Sequence, residues 1–388
     1  MNDNRQPDWD PRSADVLGDQ RAAYDDMRER CPVAHSETMH WSLFRHEDIS
    51  RVLGDHETFS NAVSRHLSVP NGMDPPEHSA YRRIIEPYFT AERMHTFEPR
   101  CREIVVELMR DACARHEPEL MHGFALPFAV RVQCAFLGWP QSLHEPLTDW
   151  TRKNQRATLA RDRRAMAEIA HEFESIIDEM LETRYQAGAN PDDDVTAALM
   201  HEKVWGRTLS NEEIASILRN WTVGEVGTIS ASIGILLHYL AHHVDVQQQL
   251  RGQPDALPAA IDEILRLHGP LVANRRITTR AVEIGGRKIE AGERISLIWI
   301  SANRDGRVFE DPYRFRLDRD PDKNLLYGAG IHVCPGAPLA RMELRVVMEE
   351  LFKHTTLIEP VAGKLPVNAV YPASGYSSLF LRLQGSGV

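Results

Sequence analysis

The chain has 388 residues and a formal net charge of −11, with 42% of residues hydrophobic and 26% charged. That composition supports a large buried core, and the acidic surplus excludes nucleic acid as the main partner, because phosphate binding needs a basic face. The five cysteines, Cys31, Cys101, Cys113, Cys134 and Cys334, are odd in number, widely spaced and free of CxxC or Cys/His zinc spacing. They exclude a disulfide framework and fit a reducing cytoplasm.

The start, "MNDNRQPDWDPRSADVL", is too polar for a signal peptide, and "ASIGILLHYLA" and "ISLIWIS" are too short to span a bilayer. No Gly/Ser/Pro-rich linker divides the chain, so a single domain over 1–388 is expected, with 1–35 as an extension packed on it. "HWSLF", near residue 42, reads as a strand. "AERMHTFEPRCREIVVELMRDACARH" repeats apolar residues at helical spacing through Met94, Phe97, Ile104, Val105, Leu108 and Met109. "RDRRAMAEIAHEFESIIDEMLETRYQAG" does the same and should stop at Gly188. A longer helix is predicted from about Asn211, as N-cap, to about His243. "VEIGGRKIEAGERISLIWI" predicts short strands turning at Gly285-Gly286 and Ala291-Gly292, and "SSLFLRLQ" a strand near the C-terminus. The expected fold class is mainly α with a small β region.

The stretch "YGAGIHVCPGAPLAR" places Cys334 just before a helix, among Gly328, Gly330, Pro335 and Gly336. The glycines clear a close approach, and Pro338 occupies an early helical position where its missing N–H costs nothing. Free amides at the helix start favour a thiolate, which suits Cys334 to ligate a haem iron. Taken alone, such a cysteine also reads as a buried turn residue, or as a nucleophile with His332 as its base. The whole run, Tyr327-Gly328-x-Gly330-x-His332-x-Cys334-x-Gly336, resembles the haem-binding signature of the cytochrome P-450 family, with tyrosine where the family usually has phenylalanine.

Three further segments resemble family motifs in the family's order. "EILR" gives Glu263 and Arg266, which the resemblance joins to Arg319 of "FEDPYRFRLDR" in a buried network that holds the cysteine loop. "DPPEHSAYRRIIEPYF" implies His78 and Arg82 as partners of the haem propionates, together with Arg276 and His332; Tyr327 and Gly336 complete the expected cofactor contacts. The resemblance spans about residues 40–383. It implies a cytochrome P-450 fold with haem b between the long central helix and the cysteine-bearing helix, and Cys334 as the metal ligand.

The long helix departs from the pattern. "NWTVGEVGTISAS" lies where the family has Ala-Gly-x-acid-Thr, so Val226 replaces the acid and Gly227 the threonine. Gly224, Glu225 and Thr228 are the remaining candidate catalytic residues. Glu225 and Thr228 each lie one residue, about 100° of helix rotation, from the expected places. Either the helix widens locally to turn them inward, or water or substrate carries protons, or Glu225 faces solvent and Thr228 packs in the helix. This helix, "HVCPGAPLAR" and "VPNGMDPPEHSAYRR" also resemble the haem domains of bacterial self-sufficient members, but the sequence carries no ferredoxin-like cysteine run and no flavin or nicotinamide fingerprint.

The resemblance implies a monooxygenase that uses dioxygen and electrons from NAD(P)H to hydroxylate or O-dealkylate a small, mostly apolar, aromatic substrate. Electrons would come from a separate ferredoxin and ferredoxin reductase, or from a reductase module outside this chain. A hydrogen-peroxide-driven peroxygenase and a non-catalytic haem gas sensor are the alternatives. By family position the pocket draws on loop 63–73, on 271–275 and on the turn 374–377, with Leu67, Val69, Val223, Leu271 and Val272 as lining and Arg65 or Asn274 as a polar end.

Overall fold

The computed structural model describes residues 6–64, 66–160, 162–371 and 373–385. Its helices follow the apolar periodicity closely. Ala91–Cys113, Arg163–Ala187 and Asn211–His242 are the long ones. The second ends at Gly188, whose φ of 68° is the left-handed cap that glycine allows.

The long helix Asn211–His242 is capped by Ser210 rather than Asn211. The Ser210 hydroxyl accepts from the Glu213 amide, and the Glu213 carboxylate accepts from the Ser210 amide. This reciprocal cap satisfies two free donors at once, which a lone Asn211 would not. By length and composition this helix could cross a membrane, but two thirds of its most apolar window is buried inside the protein. It is a core helix, longer and more apolar than its central stretch alone suggests.

The β region is small. One sheet runs in the order Val33–Ser36, His40–Leu43, Arg294–Ile298, Ala273–Thr278 and Phe59–Ser60; only the pair Trp41↔Ile295 to Leu43↔Leu297 is parallel. Glycines with positive φ make the turns at Gly285-Gly286 and Gly292. Trp9, Val16, Tyr24 and Met27, from the described part of the N-terminal extension, pack with Phe44, Val272, Ile298 and Ile300.

Glu263 and Arg266 lie on the inner face of the helix Leu257–His268, their side chains 5% and 1% exposed. Two bonds of 2.7 and 2.9 Å join them, and Arg319 Nε donates to Glu263 Oε1 at 2.8 Å. The backbone amide of Arg316 donates to the same oxygen. Arg266 also donates to the carbonyls of Asn303 and Pro312, and Arg319 to those of Glu310, Asp311 and Arg314. The Asn303 side chain then accepts from the Leu325 amide at 2.8 Å, two residues before Tyr327. The network therefore ends on the loop that carries Cys334.

At the far end of the long helix, His238 accepts from or donates to the Tyr376 hydroxyl at 2.8 Å, and burial lowers its pKa from 6.5 to about 4. His268 is lowered in the same direction by burial and by Arg21.

Two outcomes follow from these contacts. Arg266→Ala leaves Glu263 with a buried charge and should cost about 3–5 kcal/mol in urea unfolding; a loss below about 1 kcal/mol would show the network to be dispensable. A histidine with a depressed folded pKa takes up protons preferentially in the unfolded chain, so stability falls as pH drops from about 6.5 towards about 4. Thermal unfolding of His238→Gln should show a shallower acid limb than the native protein, and an unchanged limb would remove His238 as its cause.

Candidate active site

The cysteine helix Ala337–His354 begins three residues after Cys334. The Cys334 amide donates to the Tyr327 carbonyl at 2.9 Å, closing the loop on itself. Gly328 and Gly330 have φ of 72° and 70°. A Cβ on Gly330 would meet the Leu53 carbonyl at 2.2 Å, so this glycine is required both by its conformation and by the close approach of another segment. Gly336 differs: an added Cβ meets only Cys334 and Phe89, at 3.9 Å, so no protein atom requires glycine there. Tyr327 is held by the Arg341 guanidinium 4.5 Å over its ring, and Arg341 is fixed by Asp262.

Cys334 faces a cavity of about 630 Å³ between the long helix and the cysteine helix. Backbone hydrogen bonds from Gly336 and Ala337 lower its pKa, but burial raises it more. The amides at the helix start favour the thiolate, as its position led us to expect, and a cation at sulfur would offset the effect of burial.

Beside the cysteine loop the structure brings together His78, Arg82, Arg276 and His332. The rings of His78 and His332 are 4.1 Å apart, and neither Nε2 has a hydrogen-bond partner among the described residues. Arg82 donates to the Val333 carbonyl and to Glu86, while among the described residues Arg276 donates only to the Arg275 carbonyl. Burial, with the neighbouring guanidiniums, lowers His78 to about 4 and His332 to about 3. Arg276 is lowered to about 10 by burial. Asp74, the nearby acid, is already engaged by Ser60 and Asn61. Two buried guanidiniums and two imidazoles with free donors form a corner that calls for an anion. A flat group bearing two carboxylates and a metal that takes a thiolate fits this corner and Cys334 together.

Val223, Gly224, Glu225 and Thr228 line the cavity from the long helix. Cβ atoms added at Gly224 or Gly227 would meet nothing within 4 Å. The helix is regular throughout and shows no local widening. The Thr228 hydroxyl donates to the Gly224 carbonyl at 2.6 Å, one turn back in its own helix. Glu225 does not face solvent. Its Oε1 is buried, within hydrogen-bond reach of Glu343 on the cysteine helix, and burial raises its pKa. Val226 packs in the core.

The apolar wall is only partly as expected. Leu271 and Val223 line the cavity, together with Phe89, Trp221 and Trp299. Val272 does not: strand alternation turns it to the opposite face, against the N-terminal extension. Leu67 and Val69 pack into the main core because the long helix straps their backbone, through Ser216, Arg219 and Asn220. Asn61, Val63 and Asn71 take their place. Arg65 lies outside the described residues, whereas Asn274 lines the cavity. The turn 374–377 packs instead with Arg21 and His268, apart from the cavity, and Tyr371 reaches it.

The sequence reading missed Glu343, Asn303 and Arg341. For Glu343 a signal existed: it is an acid between Met342 and Leu344, on the buried face of an amphipathic helix.

Comparison with known proteins agrees with this geometry. Residues 144–368, more than half of the chain, match the Cytochrome P450 family model. Cyclomarin C epoxidase CymV of Salinispora arenicola is 32% identical over 350 residues, covering 86% of this chain and 88% of that protein. The erythromycin C-12 hydroxylase of Saccharopolyspora erythraea is 32% identical over 84% of each chain. Among solved structures, a mutant of P450 EryK in complex with erythromycin B superposes with a TM-score of 0.86 at 27% identity, covering 95% of this chain and 97% of that one. CYP109E1 from Bacillus megaterium in complex with corticosterone gives 0.85 at 27% identity, over 95% and 99%. The chain belongs to the cytochrome P450 family, haem-thiolate monooxygenases that use dioxygen and electrons from NAD(P)H to place an oxygen atom in small molecules.

Proposed function

We propose that Cys334 is the thiolate ligand of a haem b whose two propionates are received by His78, Arg82, Arg276 and His332, and that the enzyme hydroxylates or O-dealkylates a compact aromatic substrate. The observation that carries this reading is the pairing of an inward-facing cysteine with a buried corner where Arg276 has no acid bonded to it and the Nε2 atoms of His78 and His332 have no partner among the described residues. Bound there, haem supplies the dioxygen chemistry. The chain's own part is to fix the ligand through the Glu263 network, to neutralise the propionates and to exclude water with Phe89, Trp221, Trp299 and Leu271.

A compact substrate is supported by space: about 630 Å³ must hold cofactor and substrate together. Asn274 and Tyr371 offer the polar end. We place the protein in the bacterial cytoplasm as a single domain over 1–388 that draws electrons from a separate ferredoxin and its reductase. A hydrogen-peroxide-driven enzyme is the second reading, and Glu225, an acid on the cavity wall, would be its mark.

Small aromatic ethers and acids, with erythromycin and cyclomarin C as comparison compounds, should be titrated into the ferric protein. An aromatic compound should shift the spin state and then yield product with ferredoxin, reductase and NAD(P)H faster than with hydrogen peroxide. A response only to the comparison compounds would overturn the substrate class. Arg82→Ala and Arg276→Ala should each speed haem loss to an acceptor protein by about 10-fold or more, the worth of one charged hydrogen bond, and equal rates would remove them as propionate partners.

A further inference from the structure

Arg275 lies in the strand Ala273–Thr278, paired with Ser296 of the strand Arg294–Ile298, so its backbone is fixed within the sheet. The residue is exposed and also lines the cavity, which places it where the cavity meets solvent. Its guanidinium donates to the Tyr371 hydroxyl at 2.9 Å. Tyr371 lines the cavity too, and its ring packs against the cluster that holds Trp9, Tyr24 and Phe44. Both partners of this contact are therefore anchored by the fold, as a binding group needs to be.

Among the described residues no carboxylate pairs with Arg275, although the chain holds 56 acids against 45 lysines and arginines. The arginines that brace the cysteine loop do have acids: Arg266 and Arg319 bind Glu263, and Arg341 binds Asp262. Arg276, the next residue in the strand, is 6% exposed and belongs to the buried corner beside His332. Arg275 thus stands apart from both sets. The Tyr371 oxygen accepts from Arg275, so its own proton is left to donate. The other N–H groups of the guanidinium point from the same rim, with Asn274 alongside on the cavity wall.

A planar fork of N–H donors beside an O–H fits an anion with two acceptor oxygens. One guanidinium balances one negative charge, which suits a carboxylate. A phosphate monoester would bring a second charge towards the apolar wall of Phe89, Trp221, Trp299 and Leu271 with nothing to balance it.

We propose that Arg275 and Tyr371 form a receptor for a carboxylate on the substrate, so that the enzyme selects aromatic monocarboxylic acids over neutral aromatics. This receptor rests on the compact aromatic substrate proposed above and adds the charge which that substrate carries. Arg275 supplies the charge and the fork, Tyr371 holds the fork in place and adds a donor, and the apolar wall takes the ring. Because Arg275 is exposed, its attraction for an acid is screened by dissolved salt.

The test uses the haem-loaded protein and a set of benzoic, phenylacetic and cinnamic acids, each beside its own methyl ester, with phenyl phosphate as the other anion. Affinity is read from the spin-state shift. An acid should bind about tenfold or more tightly than its ester, the worth of one charge-assisted hydrogen bond, and should weaken with added salt while the ester does not. Arg275→Gln should erase the difference between acid and ester, Arg275→Lys should restore part of it, and Tyr371→Phe should lower acid affinity by about threefold. Arg275→Gln should also leave haem transfer to an acceptor protein at the native rate.

Esters that bind as tightly as acids to the native protein overturn the receptor and leave the aromatic reading standing. The same follows if Arg275→Gln weakens acid and ester equally. Phenyl phosphate binding more tightly than the acids overturns the carboxylate. Faster haem loss from Arg275→Gln, with the preference for acids unchanged, would make Arg275 a propionate partner instead. If neither acids nor esters shift the spin state, the receptor and the aromatic reading fall together.

Discussion

A carboxylate buried between two guanidiniums fixes the rest of this molecule. Glu263, held by Arg266, Arg319 and the Arg316 amide, cannot be left partly satisfied without a large desolvation cost. The donors left over on the arginines reach five backbone carbonyls, which pins the irregular segment 303–319 where no regular structure exists to pin it. Through Asn303 the constraint passes to Leu325, and so to the turn that aims Cys334 into the cavity. A loop is thereby given the rigidity of a helix, as a metal ligand requires.

The cavity has two electrostatic ends. At one, the Arg276 guanidinium and the unpartnered Nε2 atoms of His78 and His332 leave polar capacity that the described residues do not satisfy. At the other, Glu225 and Glu343 hold more acceptors than those residues satisfy. Each group alone would destabilise a fold, and Arg276 and His332 from the one and Glu225 from the other line the same space. Their polarity also orients an entering dicarboxylate group, whose acidic edge belongs with the arginines and away from the glutamates.

Much of this was legible from residues in order, because the information was local. The cysteine turn, the Glu263–Arg266 spacing and the 3.6-residue apolar repeats are short-range patterns that the backbone follows directly. What stayed hidden depends on distance. No spacing rule pairs Glu225 with Glu343, which are more than a hundred residues apart. Val69 looks like a pocket residue until Ser216 and Asn220 are seen to bind its backbone. Val272 was misplaced by one strand position, an error of a single residue that turns a side chain through the sheet. Helix widening was one of the alternatives left open for Thr228 and Glu225; the regular helix brings both to the cavity wall, the threonine bound to its own backbone.

The close approach of Gly330 to the Leu53 carbonyl joins two parts of the chain that recombination would otherwise separate. Residues 46–54 end against the cysteine turn, with no room for a single added methyl. A chimaera that exchanges the first sixty residues for those of a relative therefore also exchanges the seat of the iron ligand. Segments 46–54 and 325–336 behave as one inherited cassette, and a library that cuts between them should carry both from the same parent.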